Sequence, residues 1–235
     1  MKTIGLIGGM SWESSIEYYR IINETVRQKL GGLHSSKSVM VSVDFAEIEE
    51  LQQTGRWEEA TQIMVNTALQ IESGGANFLL ICTNTMHRMA PQVIKAIKIP
   101  LLHIADATAA RVKEEGIRTI GLLGTRYTME EDFYSGRLQD KHGLTVLLPD
   151  EPGRKNVHRI IYNELVQGII KQESKQEYIK IIHNLSKQGA EGIILGCTEI
   201  GLLVQQKDSP LPVFDTARIH AEAAVEMALN DRPGE

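Results

Sequence analysis

Short apolar runs alternate with amphipathic stretches along almost the whole chain. The runs at 2–8, 39–44, 78–82, 118–124, 144–148 and 193–196 are rich in Val, Ile and Leu. Continuous apolar runs of this length read as strands buried on both faces. Between them the period lengthens to that of a helix. Ser11 is a fair N-cap for a helix over 12–30, in which Ile16, Tyr19, Ile22, Val26 and Leu30 share a face. Further helices are predicted over 56–73, 86–98, 105–115, 129–141, 156–170, 174–188 and 216–230. This alternation predicts an α/β fold with mostly parallel sheets covered on both faces.

The pattern occurs twice. Lys2–Gly8 reads KTIGLIG and Arg118–Gly124 reads RTIGLLG, identical at five of seven positions. Residues 75–85 (GANFLLICTNT) align without a gap with 189–199 (GAEGIILGCTE), at an offset of 114. A weaker third pair sets IPLLH at 99–103 against LPVFD at 211–215. A period this long predicts two pseudo-symmetric α/β domains. The helix at 105–115 precedes the first strand of the second half. By symmetry, the helix at 216–230 belongs beside the first strand of the first half. The first domain is therefore expected to hold residues 1–104 plus 212–235, and the second 105–211, with two crossings of the chain.

In open α/β sheets, ligands bind outside the carboxyl ends of the strands. The polar clusters at 9–12, 83–85, 125–128 and 197–199 all fall there. The expected site is the cleft between the two domains. The gap-free alignment sets Thr83 opposite Cys197, and Cys82 opposite Gly196. Aligning the two cysteines instead needs a one-residue slip, which flips every side chain to the other face. Thr83 is therefore assigned to the site and Cys82 to the interior. Cys197 is the candidate reactive thiol, beside backbone N–H groups that favour anions. Glu199 does not activate it, because a nearby carboxylate raises a thiol pKa.

Other motifs carry less. GLIGG at 5–9 lacks the dinucleotide spacing and reads as a tight turn. Asp44 reads as a polar strand end. His103, Asp106 and Asp215 read as capping or interdomain hydrogen-bonding residues at the crossovers. His87 reads as structural, and Trp12 and Trp57 as packing residues.

Composition narrows the class. The chain has 235 residues, 42% of them hydrophobic, and a net charge of −5. That balance argues against a nucleic-acid or anionic-membrane partner. The two cysteines have no metal spacing and fit reduced thiols in a cytoplasmic protein. The N-terminal apolar stretch is short for a signal peptide, and no run approaches the roughly 20 residues of a membrane span.

Together, GLIGGMSWESSIEYY, CTNTMH, HIAD, LLGTRYTM, GCTEIGLL and PVFDTARIHAEAA resemble the aspartate/glutamate racemase family, over essentially the whole chain. The resemblance implies a cofactor-independent enzyme with its site between two domains, and a homodimer. In the family, two cysteines usually face each other across the substrate α-carbon. The first precedes Asn-Thr, and here that position is Thr83. The resemblance implies that Asn84, Thr85 and Thr198 hold the α-carboxylate and that Glu199 meets the α-ammonium. It places Met10, Thr125 and Thr128 on loops facing the substrate. Gln52 and Gln167 fall near positions where family aspartate racemases carry basic residues, for which Arg56 or Arg126 could substitute. The implied activity is racemisation of a free amino acid, aspartate or glutamate favoured and a broader range of amino acids allowed, by Cys197 and Thr83 on opposite faces. The alternatives are another reaction of the superfamily, of the decarboxylase, maleate isomerase or hydantoin racemase type, or an amino-acid-binding protein with impaired catalysis.

Overall fold

The computed structural model describes residues 1–230; 231–235, assigned above to the first domain, lie outside the described residues. The chain divides into two compact units, Met1–His103 with the chain from His220, and Ile104–Ile219.

In the first unit, β1 (Ile4–Gly8) lies between β2 (Ser38–Ser42) and β3 (Phe78–Ile81), all parallel. A bridge from Leu79 to Leu101 extends the sheet beyond β3. The connections are α1 (Trp12–Leu30), α2 (Phe45–Gln53), α3 (Trp57–Ser73), a 3-10 turn (Thr85–Met89) and α4 (Ala90–Ala96). All five residues of β1 are buried, as a strand covered on both faces requires. The core gathers Ile7, Ile48, Met64, Ile71, Leu79 and Ile81.

Ser11 does cap α1, its side chain accepting from Ser14 N at 3.4 Å. The buried stripe of α1 differs from the predicted one. It is Ser14, Ser15, Tyr18, Ile21, Ile22 and Val26, whereas Ile16, Tyr19 and Leu30 are exposed. Trp12, expected to pack, is 62% exposed. The reason is a close approach. A side chain on Gly8 would meet Ser15 Oγ at 2.9 Å, so the small serines turn toward the sheet and the large residues turn outward. Helix α2 was not predicted. Asp44 is its N-cap, with Oδ1 accepting from Ala46 N at 3.0 Å.

The second unit begins with α5 (Ile104–Glu114) and β4 (Thr119–Gly124). It continues through α6 (Arg126–Glu130), α7 (Ser135–Asp140), β5 (Thr145–Leu147), α8 (Glu151–Asn163) and α9 (Gln172–Lys187). It closes with β6 (Gly192–Gly196), α10 (Ile200–Leu203), β7 (Val213–Asp215) and the start of α11 (Thr216–Leu229). The strand order is β5-β4-β6-β7, all parallel. The helix predicted at 129–141 is two short helices, α6 and α7. The one predicted at 156–170 starts at Glu151, because Asp150 caps Gly153 N at 2.9 Å.

The internal repeat is visible in each sheet. Leu79 N donates to Pro100 O at 2.9 Å, and Ile193 N donates to Pro212 O at 2.9 Å. The shared glycine has one cause in both copies. A side chain on Gly5 would meet Ile71 Cγ2 at 2.5 Å, and one on Gly121 would meet Leu185 Cδ1 at 2.9 Å. In each unit a helix, α3 or α9, presses onto the central strand there. The second crossing, expected at 211/212, falls at 219/220, inside α11. The physical reason is pairing: β7 joins β6 through Ile193 and Val213, and Thr216 Oγ1 donates to Leu195 O at 2.8 Å.

Candidate active site

Cys82 directly follows strand β3, and its backbone N–H still donates to Ile7 O at 3.0 Å. Its side chain is 1% exposed, and burial pushes the thiol far up from its ordinary range. Thr83, the next residue, is partly exposed. Asn84 and Thr85 follow, both buried, as the chain turns into the 3-10 helix. The turn is closed by His87, whose backbone N–H donates to Asn84 O at 3.1 Å and whose Nδ1 is 2.7 Å from Thr83 O.

Met10 and Gln52 are also buried in the first unit. Met10 packs in the core that holds Met86, and Gln52 Nε2 donates to Met86 Sδ at 3.1 Å. Met86 follows Asn84 and Thr85 in the same turn, so the unit brings Gln52 and the Thr83–Thr85 segment to one end of its sheet. Helix α2, which carries Gln52, is the element that the sequence reading missed.

In the second unit, β4 and β6 pair through Gly124 and Gly196, so Thr125 and Cys197 leave neighbouring strand ends side by side. Thr125 caps α6: its Oγ1 accepts from Thr128 N at 3.3 Å and lies 3.2 Å from Thr128 Oγ1. Thr128 in turn covers the two glycines, 3.1 Å from where a side chain on Gly124 would begin and 3.2 Å from one on Gly196. The Cys197 thiol donates to Glu199 Oε2 at 2.9 Å, and Thr198 Oγ1 donates to the same oxygen at 2.8 Å. Cys197 is partly exposed, while Thr198 and Glu199 are buried. Burial first, and then the Glu199 carboxylate, push the Cys197 thiol well above its ordinary range. The backbone N–H groups of Glu199 and Thr198 act the other way. The resting sulfur is therefore held as a thiol.

The remaining candidates lie elsewhere. Arg56 pairs with Glu50 at 2.6 Å and Glu59 at 3.5 Å. Arg126 is exposed beside Thr125, its guanidinium 4.8 Å from the Tyr127 ring. Gln167 is exposed and donates to Tyr162 O at 3.3 Å. Asp106, just past the crossing at 103/104, makes its hydrogen bonds within the second unit, joining α5 to the end of α7: it accepts from Arg137 at 2.7 Å and from Lys141 and His142 at 2.8 Å. Asp215 Oδ1 caps α11 by accepting from Ala217 N at 3.0 Å and Arg218 N at 3.1 Å. Trp57 lies under Arg88, 4.2 Å from the guanidinium carbon. Tyr18 and His220, neither of them a candidate above, bond to each other at 2.9 Å in the first unit. Their only sequence signal is the match of Tyr18 to Tyr134 at the repeat offset of β1 and β4.

Among the described residues no group of His, Cys, Asp and Glu could hold a metal ion, and no helix is long and apolar enough to cross a membrane.

Comparison with known proteins agrees with this architecture. A family model described as Asp/Glu/Hydantoin racemase matches residues 7–224. A candidate Asp/Glu racemase from Yersinia pestis superposes with a TM-score of 0.91 at 55% identity, covering 98% of this chain and 100% of that one. An aspartate racemase homologue from Pyrococcus horikoshii OT3 gives a TM-score of 0.84 at 35% identity, covering 97% and 99%. The broad specificity amino-acid racemase RacX of Bacillus subtilis is 21% identical over 179 residues, 73% of this chain and 74% of that one.

Proposed function

Because this chain belongs to the Asp/Glu/Hydantoin racemase family, we propose that it is an isomerase that racemises a free amino acid without a cofactor, using Cys197 and Thr83. The observation that carries the reading is the pair of repeat-related strand ends, one presenting a thiol and the other a hydroxyl. Inversion at a carbon needs a base on one face and an acid on the other. A duplicated domain supplies one such group from each copy.

In the L-to-D direction, the Cys197 thiol first gives its proton to solvent, and the resulting thiolate takes the α-proton and so returns to the resting thiol. The C–H electron pair moves into the α-carboxylate as an enediolate. A proton then returns to the opposite face from the Thr83 hydroxyl or from water it holds, and solvent reprotonates that oxygen. Glu199 holds the thiol protonated at rest. A bound α-ammonium adds positive charge beside Glu199 and offsets part of that effect. Asn84, Thr85 and Thr198 are assigned to the α-carboxylate, where donors stabilise the developing negative charge. Met10, Gln52, Thr125 and Thr128 are assigned to the substrate surroundings. Aspartate and glutamate are the favoured substrates, in keeping with the names of the relatives. The assignment is to a cytoplasmic homodimer making D-amino acids; the exposed Trp12, Ile16 and Tyr19 on α1 support self-association.

The test is α-deuterium exchange in heavy water, run on each enantiomer of each free amino acid. Exchange in at least one acidic amino acid, abolished by Cys197→Ala and largely kept by Cys82→Ala, is the expected result. Binding of an amino acid with no exchange would identify an amino-acid-binding protein instead.

A further inference from the structure

His87, His103 and His220 form a buried group in the first unit. The His87 ring centroid is 4.4 Å from that of His103 and 5.9 Å from that of His220. His220 Nε2 is 2.9 Å from Leu102 O, and its Nδ1 is 2.9 Å from Tyr18 Oη. A carbonyl oxygen only accepts, so Nε2 carries the proton and Nδ1 accepts from the tyrosine. The same rule fixes His87. Its Nδ1, 2.7 Å from Thr83 O, must be protonated and donate.

The internal repeat separates what the fold needs from what this group adds. At the strand-end offset of 114, the counterpart of His87 is Gly201. In the third repeat pair, the counterpart of His103 is Asp215. Tyr18 corresponds to Tyr134, which neighbours Thr108 rather than a histidine. A side chain on Gly201 would meet Asp215 Oδ2 at 2.5 Å, so an imidazole there would have to displace that carboxylate. The Cys197 carbonyl accepts a backbone N–H instead, from Ile200 at 3.1 Å. The same strand-to-turn element thus closes without histidine when it carries Cys197. The imidazoles accompany Thr83, not the fold.

A trans peptide is planar, and its C=O and N–H point in opposite directions. A Thr83 carbonyl drawn to His87 therefore aims the Asn84 N–H away from the histidine group. We propose that His87 is a positioning residue that locks the Thr83–Asn84 peptide, so that the Asn84 N–H faces the α-carboxylate of the substrate. This rests on the racemase reading of that strand end. A reversed peptide would turn a carbonyl oxygen toward the carboxylate and repel it. His103 and His220 act behind His87 by fixing the plane of its ring. The lock belongs to the Thr83 half alone.

The experiment compares His87→Leu, which removes the donor, with His87→Asn, whose Nδ2 can occupy the place of Nδ1. Both are made on a Cys197→Ala parent, which cannot turn ligand over. Binding of L-aspartate and of L-glutamate is titrated by the shift of the Asn84 amide resonance, and the His87 tautomer is read from ring nitrogen shifts. The expected result is a protonated Nδ1 in the parent, affinity weakened at least tenfold in H87L, and affinity within about threefold of the parent in H87N. A purely structural role would instead lower the melting temperature of both variants and leave affinity of the folded fraction unchanged, which overturns the lock alone. A bare Nδ1 would overturn it too. Failure of both ligands to bind the parent would overturn the racemase reading for these substrates, and the lock with it.

Discussion

The thiol of Cys197 donates to Glu199 Oε2 across 2.9 Å, two residues along the same turn. Burial and this carboxylate together hold the sulfur in its protonated form. Glu199→Gln removes the charge, lowers the thiol pKa and raises the thiolate fraction. Alkylation of Cys197 by iodoacetamide at pH 8 should then speed up by about tenfold, the factor for one pKa unit. Cys82 should stay unmodified in both proteins, because its side chain is 1% exposed. Peptide mapping after timed alkylation reads both outcomes.

Thr83 corresponds to Cys197 in the repeat. A hydroxyl is a far poorer base than a thiolate, so exchange of the D-enantiomer should be slower than that of the L-enantiomer. Thr83→Cys should raise deuterium exchange of the D-enantiomer by about two orders of magnitude, the low end of what a positioned base contributes. Equilibrium must stay at equal enantiomers in both proteins. Equal, fast exchange of the two enantiomers by the unaltered protein would sink the asymmetric mechanism.

His220 is fully buried, and burial depresses its pKa from 6.5 to about 4. The unfolded chain therefore binds the proton more readily than the folded one. Stability should be intact above pH 6.5 and fall as the pH drops toward 4, by about 3 kcal/mol from this residue. Urea unfolding at a series of pH values would show the slope. His220→Asn, which can still accept from Tyr18, should flatten it.

Gly5 has no room for a methyl group. A side chain there would meet Ile71 Cγ2 at 2.5 Å and Phe78 O at 2.8 Å. Gly5→Ala should cost about 1–3 kcal/mol, as overpacking does. Gly121→Ala should behave alike, with Ile193 Cδ1 at 2.8 Å. Thermal unfolding measures both. A neutral effect at either position would mean that the helix over the strand can retreat.

Much of the candidate site was legible because duplication makes a sequence its own alignment. The gap-free match of 75–85 with 189–199 placed Thr83, not Cys82, opposite Cys197. The structure buries Cys82 and leaves Thr83 partly exposed. What was not legible came from close approaches. The buried stripe of α1 could not be chosen from periodicity, since Ser14, Tyr18 and Ile21 compete with Ile16, Tyr19 and Leu30, while Ile22 and Val26 fit either choice. Contact between Gly8 and Ser15 decides it. Asp44 read as a strand end because VSVD is a good strand ending, yet its carboxylate starts the helix that carries Gln52.

By itself, the sequence determined strand and helix alternation, the duplication, and the residues at each strand end. These follow from local periodicity and from internal identity, both of which survive without coordinates. Only the tertiary structure decided where the second crossing lies, because β7 is held by hydrogen bonds to β6 rather than by its own pattern. Only it brought Glu199 onto the Cys197 thiol and His87 onto the Thr83 carbonyl. Those contacts depend on turn geometry and on side-chain direction, which the order of residues constrains but does not display.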